Sequence, residues 1–76
     1  ITVIDKDSHT IISYKDNKFL GIDIADLGVD VNTLRSSMEV SKVKVDGQDA
    51  FALLRDWGDY SFIAIAFKKV YMYMCL

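Results

Sequence analysis

From Tyr60 to Leu76 the only polar residues are Ser61, Lys68 and Lys69. In a chain of 76 residues this apolar tract dominates every folding option. So short a chain buries only ~60% of the surface its unfolded form exposes, which leaves one domain with a thin core. The tract therefore needs cover, from the chain's own helices or from a second chain. A bilayer is excluded as the cover, because a spanning helix takes ~18 uninterrupted apolar residues and Lys68-Lys69 divide this tract.

The first half of the tract is apolar on both strand faces. Phe62, Ala64 and Ala66 fall on one side, and Ser61, Ile63, Ile65 and Phe67 on the other. That pattern predicts a strand covered on both sides. Residues 70–76 predict a further strand, joined through a tight turn or bulge at Lys68-Lys69. Its Val70, Met72, Met74 and Leu76 share one side, and Tyr71, Tyr73 and Cys75 share the other. Methionine adapts to irregular core gaps, so the first set is expected to pack inward. The tyrosines then face solvent or a partner. On this reading, replacing both tyrosines with serine costs under ~1 kcal/mol of stability and weakens association.

Ahead of the tract, Thr2-Val3-Ile4, Thr10 to Tyr14 and Phe19 to Ile22 are apolar or β-branched runs parted by polar turns. They predict a three-stranded antiparallel meander over residues 1–23. Residues 23–30 hold three Asp and Gly28, a loop with one helical turn near Ile24–Leu27. Leu27, Val31, Leu34 and Met38 recur at helical spacing, and Asp30 or Asn32 is placed to cap a short helix. Val43 and Val45 alternate with Lys42 and Lys44, a half-buried strand with a lysine face. Asp46 then reads as the N-cap of a second helix over residues 48–57. Its stripe is Ala50, Leu53, Leu54 and Trp57, with Gly58 just beyond its end. Trp57 is expected in the core, where truncation to alanine removes ~3–5 kcal/mol. The expected fold is α+β in one domain over residues 1–76. It has the order β-β-β-α-β-α-β-β, with a small mixed or antiparallel sheet and two short helices on one face.

Charge narrows the function. Nine basic and eleven acidic residues leave a net charge of −2, which disfavours broad nucleic-acid or anionic-membrane binding. Ten of the acids are Asp, a residue of turns and caps. Asp5, Asp7 and His9 alternate as a short metal set would, but the calcium-loop glycine and terminal Glu are missing, so they read as a solvated turn. Cys75 has no cation closer than Lys69 to activate it and no partner for a disulfide. There is no nucleophile elbow, phosphate loop, dinucleotide fingerprint or paired-cysteine motif. No catalytic residue, metal ligand or cofactor is expected.

Lys42 and Lys44, with Lys68, Lys69, Tyr71 and Tyr73, form the alternative: a lysine and tyrosine sheet surface for single-stranded nucleic acid. The preferred reading is a non-enzymatic protein-interaction module. It would bind a protein partner or itself through a sheet edge or the C-terminal strand, with Tyr60, Lys68, Lys69, Tyr71 and Tyr73 at the interface. Two origins suit it: a small accessory or inhibitor protein of phage type, or a domain cut from a larger assembly protein, since the chain opens on Ile1. The opening carries no signal-peptide pattern and Cys75 is unpaired, so a cytoplasmic, intracellular setting is expected.

Overall fold

The computed structural model describes residues 1–68. Among them five strands form one antiparallel sheet: β1 (Thr2–Asp5), β2 (Ile11–Ser13), β3 (Ser41–Val45), β4 (Gln48–Trp57) and β5 (Tyr60–Phe67). Their spatial order is β2-β1-β5-β4-β3. A six-residue helix, α1 (Val31–Ser36), and two 3-10 turns, Asn17–Phe19 and Ile24–Leu27, complete the regular structure. The α+β class holds in this coarse form, and the sheet is antiparallel throughout. The detailed order differs from the expected one.

The largest difference is at residues 48–57, which form the longest strand instead of a second helix. Ala50, Leu53, Leu54 and Trp57 fit a helical stripe, but Ala50, Ala52 and Leu54 also alternate, and here they are the buried set. The turns decide between the two periods. Asp46 and Gly47 both have positive φ, 53° and 77°, as a type I′ hairpin turn requires. Gly58, at φ 61°, opens the equally tight turn into β5. A chain reversed within two residues at both ends pairs with its neighbours, and β4 is hydrogen-bonded along its length between β3 and β5. Asp46 is thus a turn residue, not a helix cap.

The expected third strand of the meander is also absent. Phe19 ends a 3-10 turn whose N-cap Asp16 accepts from the Lys18 amide. The chain then touches β2 through Ile11 N to Ile22 O and Gly21 N to Ile11 O, at 2.8 and 2.9 Å. These bonds cover the outer edge of β2. The opposite edge, β3, is five residues long and carries Lys42 and Lys44, devices that discourage unwanted strand pairing.

Asp30 caps α1, accepting from the Thr33 amide and hydroxyl at 3.3 and 2.9 Å. The helix packs on β4 through buried Val31 and Leu34. With Ile24, Leu27 and Val29 they cover one face of the sheet, where Ile4, Val45 and Ile63 have no exposed surface. Gly28 ends the second 3-10 turn at φ 94°, and a Cβ there would meet the Lys44 carbonyl at 3.1 Å. That close approach seats the loop against β3, where the Asp46 amide donates to the Leu27 carbonyl. No helix among the described residues is long and apolar enough to cross a membrane.

Candidate functional site: the open face of the sheet

All the helical cover lies on one side. The other side of the sheet is built by cross-strand pairs of β4 and β5, whose directly opposed residues share a face. Four successive pairs line it: Trp57 with Tyr60, Arg55 with Phe62, Leu53 with Ala64, and Phe51 with Ala66. A further rung follows where the Lys68 amide donates to the Asp49 carbonyl at 2.9 Å. From β1, Val3 lies opposite Phe62 and Asp5 opposite Tyr60. From β3, Lys42 lies opposite Phe51 and Lys44 opposite Asp49.

Four aromatics on this face are open to solvent: Trp57 is 77% exposed, Tyr60 44%, Phe51 38% and Phe62 37%. This corrects two expectations. Trp57 is outside the core, because strand geometry turns it away from Leu54. Among the described residues, 60–67 are covered on one face only, because a six-residue helix and two single turns cannot reach round the sheet. The small residues Ala64 and Ala66 leave an apolar depression of about 230 Å³, walled by Val40, Phe51 and Leu53.

Beside it is a second cleft, of about 270 Å³, lined by Lys42, Asp49, Phe51 and Lys68 among others. Of the residues expected to bind partners, Tyr60 and Lys68 are therefore on the open face, at its opposite ends. Lys42 and Lys44 share it. Lys69, Tyr71, Tyr73 and Cys75 lie outside the described residues, as does the predicted strand over residues 70–76. Phe51, Leu53, Trp57 and Phe62 were not singled out as interface residues by the sequence. A signal for them existed: the Asp46-Gly47 and Gly58-Asp59 turns bracket β4 and force an alternating reading.

The Asp5, Asp7 and His9 set is a capped turn. Asp5 accepts from the Asp7 and Ser8 amides at 2.9 and 3.0 Å, and those bonds hold its carboxyl below the usual carboxylate range. His9 sits at φ 64° and lines a shallow depression with Ala25 and Asp30. Among the described residues no three His, Cys, Asp or Glu side chains are grouped to hold a metal ion.

The densest polar network is on the covered side. Ser61 is fully buried, accepts from Arg35 Nη2 at 3.1 Å and donates to Asp56. Arg35 Nε reaches Asp56 at 2.9 Å, and its Nη2 also donates to the Lys6 carbonyl at 3.2 Å. The Ser61 hydroxyl first, and Arg35 second, hold the Asp56 carboxyl below its ordinary range. One guanidinium thereby ties α1 to β4, β5 and the turn after β1. Ser61 is closed to solvent, and the network anchors the helix to the sheet. Comparison with known proteins gives no match: no family model, curated protein or solved structure corresponds to the chain.

Proposed function

We propose that the chain is a non-enzymatic protein-interaction module that binds through the open face of its sheet. The observation that carries this reading is the set Phe51, Leu53, Trp57, Tyr60 and Phe62, gathered around Arg55 on the sheet face that the other described residues leave open. Aromatic side chains bury large areas at little entropy cost and anchor protein interfaces. Such an apolar surface is costly to leave in water, and on a folded domain it marks a contact surface. The sheet edges are poorer docking places: β2 is covered by residues 21–22 and β3 carries outward lysines.

A second reading is single-stranded nucleic acid. It is favoured by the grouping of Lys42, Lys44 and Lys68 around Phe51, a cation and stacking arrangement suited to phosphates and bases. The net charge of −2 weighs against it. Photo-crosslinking in the source cells separates the two. A photoreactive residue in place of Leu53 is expected to capture protein, while one at Ser36, on the helix side, is not. Capture of nucleic acid from position 53 selects the second reading. No capture at all overturns both.

A further inference from the structure

Resting on that reading, we infer that the open face takes an acidic segment of a partner protein, with an apolar side chain in the depression and carboxylates on either side of it. The charge of the face carries this. The strand ladder places four cations there, Lys42 and Lys44 on β3, Arg55 on β4 and Lys68 just past β5, against two carboxylates, Asp5 and Asp49. The whole chain has a net charge of −2, so this side is opposite in sign to the rest. Among the described residues none of the four cations forms an ion pair; the pairs are Lys18 with Asp16 and Arg35 with Asp56. Arg55 donates instead to the Leu54 and Met38 carbonyls, at 2.8 and 3.3 Å, contacts that fix the guanidinium without neutralising it.

Edge protection accounts for Lys42 and Lys44, which stand on the outermost strand. It does not account for the other two: Arg55 is on β4, Lys68 follows β5, and neither strand is outermost. Their positions frame the depression. Along the face the rungs run Arg55–Phe62, Leu53–Ala64, Phe51–Ala66 and Asp49–Lys68, with Lys42 beside Phe51 and Lys44 beside Asp49. One cation therefore stands before the depression and three stand at or beyond its far end. The first and last of these rungs are six residues of strand apart, roughly 20 Å at the usual rise. Every side chain lining the depression is apolar. A ligand that matches this surface is apolar at its middle and anionic at both ends.

A polynucleotide is the poorer match. Its backbone is charged at every unit and takes an unbroken basic groove. Here the cations are parted by an apolar gap, and two carboxylates share the face with them. A peptide can carry its charges and its apolar side chains at separate positions. The charges then steer the encounter and fix the register, and the apolar contact holds the complex.

The test uses the full chain to select from a displayed library of random peptides about 12 residues long, which span roughly 18 Å as a helix and more when extended. The peptides retained are expected to carry Asp or Glu on both sides of a Leu, Ile, Phe or Trp. The tightest of them is synthesised and titrated with the chain by fluorescence anisotropy. Lys42→Glu combined with Lys68→Glu is expected to weaken its binding about tenfold or more, and replacing the peptide's own acids with lysine is expected to restore it. Raising the salt from about 0.05 M to about 0.5 M is expected to weaken the wild-type complex several-fold, because screening shortens. Circular dichroism establishes that the double variant folds; if it does not, Lys42→Gln with Lys68→Gln replaces it, with a smaller loss expected. Retained peptides that are neutral or basic overturn the inference and leave the interaction module standing, and so does binding indifferent to the charge changes. Oligothymidine bound more tightly than the selected peptide overturns it in favour of nucleic acid. A library from which nothing is retained also overturns it. Protein capture from position 53 then keeps the module, and no capture removes both.

Discussion

The two faces of the β4–β5 hairpin are close in apolar content and opposite in use. Inward, Ala50, Ala52, Leu54 and Ile63 are all but closed to water. Outward, Phe51, Trp57, Tyr60 and Phe62 keep between a third and four-fifths of their surface. The larger side chains are on the open side. The covered face of β4, on which α1 packs, carries alanine at 50 and 52. Hydrophobicity alone thus does not tell which side of a strand is core. What tells is whether the chain has an element long enough to cover it, and here the helical segments suffice for one face.

The contrast breaks first at the core. Ile63 is central in β5 with no exposed surface, and Ile63→Ala is expected to cost ~2–5 kcal/mol, since it removes buried methylenes and leaves a cavity. A domain of this size has roughly 5 kcal/mol in total, so the variant should be partly or wholly unfolded at room temperature by circular dichroism. A shift of only a degree or two in Tm would mean that the covered face is loosely packed and the two faces are alike.

The next effect concerns the one polar residue in the covered face of β5. Ser61→Ala leaves Asp56 and Arg35 short of a partner each, and ~1–3 kcal/mol of stability should go with it. The same site sets a pH dependence. Asp56 has its carboxyl below the ordinary 3.8 in the folded chain, because Ser61 and Arg35 favour the charged form. A depressed carboxylate stabilises the fold fully above its unfolded value and loses that contribution as pH falls through the folded one. Asp5 and Asp30, held down by amides and by Thr33, act in the same direction. Tm should therefore be level from neutral pH to ~5 and fall on further acidification, and Asp56→Asn should make the acid slope shallower. An acid slope unchanged in Asp56→Asn would show that the anchor does not titrate with folding.

How much of this was legible in the sequence depended on which signals were local. The strand at Val43 and Val45, the helical turn at Ile24–Leu27 and the Asp30 cap are each written within a few neighbouring residues, and the structure has them there. The alternation of Ile63 against Phe62 and Ala64 was also plain. Residues 48–57 were not, because Ala50, Leu53, Leu54 and Trp57 satisfy period 3.6 while Ala50, Ala52 and Leu54 satisfy period 2. With apolar residues on both faces, amphipathicity cannot arbitrate. Asp46-Gly47 could have, being the strongest short hairpin signal, but Asp is equally good as a helix cap. The candidate site inherited that ambiguity. Tyr60 and Lys68 were singled out for an interface, but the face joining them exists only once β4 is a strand.

The smallest expected effect on stability is also the sharpest discriminator between the faces. In a helix over residues 48–57, Trp57 would finish a buried stripe and its loss would cost several kcal/mol. On the observed strand it projects from the open face beside Tyr60, 77% exposed and next to the Gly58 turn. Trp57→Ala then removes little buried area, and the cost should stay below ~1 kcal/mol, as for surface positions in general. Tm should move by only a few degrees, and the wild-type indole should fluoresce as a water-exposed group. A variant that melts far below the wild type would return Trp57 to the core and make both faces of the hairpin covered.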